Sequence, residues 1–182
     1  METKSKSNTR LILIILHVIA WIIFVGLSIE AGGLIVNFIF SVFKPEFVGN
    51  LYQKLDLSQM YQQSKWAFFG TYSFVLFISI LKSLLFYTVI QLHYKLDLSK
   101  PFSAYLAHKI VRIAYYTFSI GIISHIAKEV VKNLFSHGYE IDKLDQFWVD
   151  SQAFILMAAV VYVIAQIFKR GIEIQNENDL TV

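Results

Sequence analysis

The sequence predicts an all-α integral membrane protein, a four-helix bundle with both termini in the cytoplasm. Three observations lead to this prediction. The chain of 182 residues is 56% hydrophobic and only 16% charged, whereas soluble domains carry about a quarter charged residues. Its charged residues are bunched between long apolar runs. Its Lys and Arg residues are unequally divided between the two ends of those runs.

Four apolar stretches are long enough, or nearly so, to cross a membrane. A helix needs roughly 20 apolar residues to span about 30 Å of hydrocarbon. Backbone groups find no water partners in lipid, so only helices or closed barrels cross it, and continuous apolar runs favour helices. The predicted spans in a single transmembrane domain, 1–182, are about 11–30, 66–91, 105–127 and 152–168, followed by a cytoplasmic tail at 169–182.

The first helix is expected to continue beyond the bilayer. A set of polar and small residues follows the apolar run at steps of three or four residues, which places them on one helical face. The set comprises Gly26, Glu30, Gly33, Asn37 and Ser41. We therefore predict one helix that continues to residue 42. The alternative is a break at Gly32-Gly33, with 34–43 lying along the membrane surface.

The third helix is also expected to continue, to residue 135. The extended ends of the two helices would then project from the membrane as a short bundle, capped by 44–64 and 136–150.

The distribution of Lys and Arg predicts the orientation, because cytoplasmic flanks carry an excess of these residues. Nine lie on the side that holds the N-terminus, the second connection and the tail, and six lie on the opposite side. The excess predicts that both termini lie in the cytoplasm, as in a multi-pass membrane protein with an even number of spans.

Five polar side chains form a candidate intramembrane polar site. They are Glu30, Asn37, Lys82, His125 and Glu129. Charged groups in a span are costly and usually face protein or water. Glu30 and His125 are expected at similar depths near the outer boundary, where they would form a proton-linked or cation site. The alternative, which we favour, is a glutamate at the headgroup level that is hydrogen-bonded to a neighbouring helix.

Lys82 is expected in the inner leaflet of the second span. No acidic residue of the other spans is predicted at its depth. We therefore expect its ammonium group to extend towards the cytoplasmic headgroups rather than to pair inside the bilayer.

The sequence gives no support for an enzyme. It contains no H-E-x-x-H, Walker, G-x-S-x-G or dinucleotide-binding motif and no cysteine. His125 and Glu129 supply two metal ligands, whereas a zinc site needs three or four. We expect no catalytic residue, cofactor or metal. The net charge of +3 without a dense basic patch also argues against direct nucleic-acid binding.

Two polar segments, KLDLSKPFS before the third span and AQIFKRGIEIQNENDLTV at the end, carry a family resemblance. They resemble the YoaS-like group, a domain-of-unknown-function family of small bacterial four-span membrane proteins, and the resemblance covers most of the chain. It implies an all-helical inner-membrane protein without an established activity, often accompanied by a small helix-turn-helix regulator of the Cro/CI type. The specific residues, which make up a candidate cytoplasmic interaction surface, are Lys100, Pro101, Phe102, Ser103, Glu177, Asn178, Asp179, Leu180, Thr181 and Val182.

These observations favour a membrane-embedded sensor or regulatory partner of a cytosolic protein, which the resemblance suggests is a helix-turn-helix regulator. The outer bundle or the lipid would be the input, and the 93–109 connection with the tail would be the output. The alternative is a small oligomeric transporter or channel that uses Glu30 and His125, although no inverted repeat is evident. Whether the chain forms a homo-oligomer is left open.

Overall fold

A computed structural model describes residues 2–97, 102–139 and 144–179. Within these ranges the regular structure is helical, apart from one isolated bridge between Leu51 and Leu55. The α-helices are α1 (Glu2–Phe43), α2 (Ser58–Gln63), α3 (Lys65–Tyr94), α4 (Ala104–Ser136) and α5 (Ser151–Asp179), and the short 3-10 helices are Pro45–Gly49, Tyr52–Lys54 and Leu144–Phe147.

Four of these helices are long and apolar enough to cross a membrane. They correspond one to one with the four predicted spans, and the predicted all-α, four-helix membrane architecture is confirmed. The orientation of the termini stays a prediction. The candidate spans run over Arg10–Phe43, Lys65–Tyr94, Ala104–Ser136 and Leu144–Glu177.

The long helices pack in chain order. Helix α1 packs on α3, α3 on α4, and α4 on α5, and within the described residues no Cα atom of α1 lies within 8 Å of α4 or α5. Because α1 and α5 each have one long neighbour, they expose apolar side chains such as Ile22 and Leu156, both 68% exposed. Such apolar faces can contact lipid tails, because lipid tails are as apolar as a leucine side chain.

Helix α1 is continuous through Gly32-Gly33, so the alternative of a break at that point does not occur. The ring of Tyr52 packs against Gly33, where an added Cβ atom would lie 2.7 Å from the ring. Glycine at position 33 therefore allows the Tyr52 ring to pack directly against the backbone of α1. The helix ends at Phe43 because Pro45 disfavours helical geometry at the residue before it, and Lys44 is extended.

Residues 44–64 and 144–150, hereafter the cap, cover one end of the helix row. Tyr72 of α3 is fully buried beneath the cap and its hydroxyl donates a hydrogen bond to the Leu34 carbonyl of α1, at 3.2 Å. The buried apolar side chains shared by the cap and the helix ends include Leu34, Val48, Leu51, Leu55, Leu57, Met60, Phe68, Tyr72, Leu144 and Phe147. The opposite end carries the termini and the connection between α3 and α4, and we refer to it as the terminal end.

Helix α5 starts halfway along α4 and continues past its predicted boundary. An added Cβ atom at Gly121 would lie 3.1 Å from the Ser151 carbonyl oxygen, so the first turn of α5 rests against the middle of α4. At the other end, α5 stays helical beyond Phe168 to Asp179. The polar tail, which the sequence indicates as an extension of the fourth helix, is therefore helical as far as Asp179.

Candidate functional site

A polar cluster joins α1 and α3 close to the cap. The Ser79 hydroxyl donates a hydrogen bond to Glu30 Oε1 at 3.0 Å, and the hydroxyls of Ser28 and Ser83 share a hydrogen bond of 3.0 Å. Ser79 is buried and Glu30 is half-buried. The Glu30 carboxylate thus accepts a hydrogen bond from a neighbouring helix, as the favoured interpretation of the sequence expected, and its position at the headgroup level stays a prediction.

Lys82 belongs to the same cluster. Its Nζ donates a long hydrogen bond of 3.5 Å to the Phe147 carbonyl in the cap, and the ammonium is near enough to the Glu30 carboxylate for the two charges to interact. Within the described residues, the two groups form no ion pair at 4.0 Å or less. The attraction between the Lys82 ammonium and the Glu30 carboxylate therefore acts over more than 4.0 Å.

The expectation that Lys82 extends towards the cytoplasmic headgroups is wrong. The helices α1 and α3 are antiparallel, with His17 beside Tyr94 at one end and Phe38 beside Phe69 at the other. This register places Lys82 next to Ser28, about one turn from Glu30. Depth counted from the start of each apolar run separated Lys82 from Glu30, because such a count does not include the register of α3 on α1.

The other three candidate residues do not join the cluster. His125 and Glu129 are exposed on α4, which does not contact α1 in the described part of the chain, so no pair of Glu30 and His125 forms. Asn37 is half-buried on α1, and its carbonyl accepts a hydrogen bond from the buried Ser41 hydroxyl at 2.7 Å. No group of three potential metal ligands occurs among residues 2–97, 102–139 and 144–179.

The partners in the cluster carry sequence signals of different strength. Ser79 and Ser83 are small residues four apart, and Ser79 also lies three residues before Lys82 on the same helical face. The Phe147 carbonyl carried no signal, because any residue offers a backbone acceptor.

The terminal end brings together the two segments that carry the family resemblance. The Phe102 ring packs edge to face on Phe168 of α5, with 5.4 Å between ring centroids. An added Cβ atom at Gly171 would lie 2.6 Å from the Phe102 ring, so only glycine leaves room for this contact. The next residue, Ser103, caps α4 by accepting a hydrogen bond from the Leu106 N–H at 3.3 Å. We call Phe102, Phe168 and Gly171 the Phe102 seat.

Beyond the Phe102 seat, α5 presents a polar surface. Arg170 Nη1 and Glu173 Oε2 form an ion pair at 2.6 Å, and Ile174 is 48% exposed. Glu177 is exposed and has an interaction partner. For Asn178 and Asp179 the structure describes only the backbone, which is helical. The remaining candidates lie outside the described residues: Lys100, Pro101, Leu180, Thr181 and Val182.

The two sites differ in what they can do. The Glu30–Ser79–Lys82 cluster ties α1, α3 and the cap together by directional contacts within apolar surroundings. The terminal end offers an exposed helical surface whose position relative to the α3–α4 connection is fixed by the Phe102 seat.

The family described as "Protein of unknown function (DUF2975)" matches residues 53–182. No curated protein and no solved structure matches the chain. The expected membership of a family of unknown function is confirmed by this match, and the YoaS-like name stays a prediction.

Proposed function

Since the chain belongs to the DUF2975 family of proteins of unknown function, we propose a function from its geometry: a non-enzymatic regulatory protein of the bacterial inner membrane. Its terminal end docks a cytosolic partner protein, for which a helix-turn-helix regulator is the candidate. Its cap, or the lipid around it, receives the input.

The Phe102 seat is the observation that carries this proposal. It couples the α3–α4 connection to the extension of α5, two segments that the distribution of Lys and Arg assigns to the cytoplasm. A docking surface needs a fixed geometry, and the contact between Phe102 and Gly171 supplies it. The exposed Ile174 gives that surface an apolar contact, flanked by the ion pair of Arg170 and Glu173.

The polar cluster supports a route from the cap to the terminal end. Lys82 contacts the cap through the Phe147 carbonyl, and Ser79 of the same helix holds Glu30 of α1. A displacement of the cap would therefore act on α3 and α1 together. The packing in a row also favours regulation over transport, because within the described residues no Cα atom of the helix with Glu30 lies within 8 Å of the helix with His125.

A photo-crosslinking amino acid at position 174 tests the proposal in native membranes. The control places the same amino acid at position 156, which is exposed on the lipid-facing part of α5. We expect position 174, and not position 156, to capture a defined cytosolic protein. A chain without residues 171–182 should stay in the membrane fraction and lose that protein from pull-downs.

Two results would overturn the proposal. One is an identical set of crosslinked products from both positions. The other is an unchanged pull-down after the deletion.

A further inference from the structure

A groove of about 340 Å³ opens between α1 and α3 at the terminal end. One part of its lining is polar, with Arg10, His17, His93 and Tyr94. The other part is apolar and continues along the spanning part of α1, where Leu13 and Ile14 line it. Along α1 the apolar Leu13 and Ile14 lie between Arg10 and His17, so the groove places an apolar wall next to polar groups.

The polar part of the groove is organised around His17. Its ring lies 5.2 Å from Tyr94 in an edge-to-face arrangement and 5.8 Å from His93, measured between centroids. The Trp21 indole N–H donates a hydrogen bond to His17 Nε2 at 3.2 Å. Because an indole can only donate, this bond assigns the proton of a neutral His17 to Nδ1.

That proton has no acceptor. His17 Nδ1 is buried and makes no hydrogen bond to any group in the described part of the chain, which is costly for a donor and unusual in folded proteins. The exposed polar groups at the groove are the guanidinium of Arg10 and the phenol of Tyr94. Both can donate hydrogen bonds to an acceptor in the groove, and Arg10 adds a positive charge.

The charge of the groove agrees with an anionic acceptor. None of its lining residues is acidic, and Arg10 forms no ion pair within the described residues. Asp97, the residue after the lining residue Leu96, has interactions of its own. Basic pockets between spanning helices on the cytoplasmic side are suited to anionic lipid headgroups.

We propose that this groove binds a phospholipid with an anionic headgroup. The headgroup phosphate accepts hydrogen bonds at Arg10 and Tyr94, and an acyl chain lies along Leu13 and Ile14. The apolar wall distinguishes a lipid from a free phosphate, because a soluble anion gains nothing from Ile14, whose side chain is apolar and 52% exposed.

Native mass spectrometry of the full-length protein in detergent tests the proposal. The protein is titrated in parallel with phosphatidylglycerol and phosphatidylcholine of the same chain length. The wild type should bind phosphatidylglycerol more tightly. Arg10→Gln should lower that affinity about fivefold, the effect of one positive charge near an anionic lipid surface. The control Arg112→Gln removes an exposed charge from α4, also in the half of the protein nearer the terminal end. It should leave the affinity within about twofold.

Two further arms keep the proposal falsifiable. Glycerol phosphate at the lipid concentration should not displace the bound lipid, and complete displacement would make the ligand a soluble phosphate. Ile14→Trp should weaken the binding of phosphatidylglycerol by filling the apolar part of the groove. Equal affinity for the two lipids in the wild type, or equal losses in the Arg10 and Arg112 variants, would overturn the proposal.

Discussion

The Ser79 hydroxyl of α3 contacts the Glu30 carboxylate of α1 across the helix interface, at 3.0 Å. This contact explains how a carboxylate is tolerated in a spanning helix, because a buried charge needs hydrogen bonds or an opposite charge. Glu30 has the hydrogen bond from Ser79 and, at longer range, the charge of Lys82. With this hydrogen bond and this nearby charge, the Glu30 carboxylate stabilises the interface between α1 and α3.

Ser79→Ala is expected to destabilise the protein modestly. Hydrogen bonds between spanning helices contribute about 0.6 kcal/mol on average and up to about 1.7 kcal/mol. Thermal unfolding in detergent would measure the loss. Ser73→Ala is the matched control, because the Ser73 hydroxyl bonds to the Phe69 carbonyl of its own helix. A larger loss for Ser73→Ala than for Ser79→Ala would contradict the interhelical role of Ser79.

Gly121→Ala is expected to separate α4 from α5. The added Cβ atom would lie 2.9 Å from Ile155 Cγ1 and 3.1 Å from the Ser151 carbonyl oxygen, and a backbone atom cannot rotate away. Overpacking of this kind costs about 1–3 kcal/mol. Gly26→Ala on α1 is the control, because among the described residues no atom beyond the local helix backbone lies within 4 Å of its added Cβ atom. The midpoint temperatures of the two variants in detergent should therefore differ, and equal midpoints would count against the close packing of α4 on α5.

Gly171→Ala is expected to expel the Phe102 ring from its seat. The double variant Phe102→Ala/Gly171→Ala removes the clash as well as the contact, so its loss of stability should be smaller than the sum of the two single losses. Limited proteolysis of the α3–α4 connection would report the release of Phe102 in the single variants. Additive losses would show that the two residues act independently.

Single-cysteine labelling in intact cells would test the orientation. The natural chain has no cysteine, so each introduced thiol is the only one present. Gln53→Cys in the cap is expected to react with a membrane-impermeant maleimide, because the smaller number of Lys and Arg residues places the cap outside. Glu173→Cys on α5 should react only after the membrane is opened. The reverse pattern would invert the topology and remove the cytoplasmic docking surface.

Much of the fold follows from local sequence patterns. Four spanning helices are predicted by apolar runs, and the end of α1 is predicted by Pro45, because hydropathy and proline geometry are properties of a short segment. The periodic set from Gly26 to Ser41 predicts one continuous helix for the same reason. Asn37 and Ser41 are joined within it by a hydrogen bond of 2.7 Å between the Ser41 hydroxyl and the Asn37 carbonyl.

The sequence did not predict which residues make up the polar cluster. Lys82 was expected to have no acidic residue at its depth, although Glu30 lies nearby, and Glu30 was considered with His125, whereas its partner is Ser79. Both assignments depend on how far one helix is shifted along another, and an apolar run does not encode that shift. It is set by bulky contacts at the helix ends, such as Phe38 on Phe69 and His17 on Tyr94.

The sequence by itself determined that this protein has four spanning helices and which segments connect them, because each span satisfies its own backbone hydrogen bonds. The tertiary structure alone decided that the helices pack in a row, that Lys82 contacts the cap, and that Phe102 rests on Gly171. These features depend on side-chain packing between distant segments, where a shift of one turn, about 5.4 Å, changes every partner.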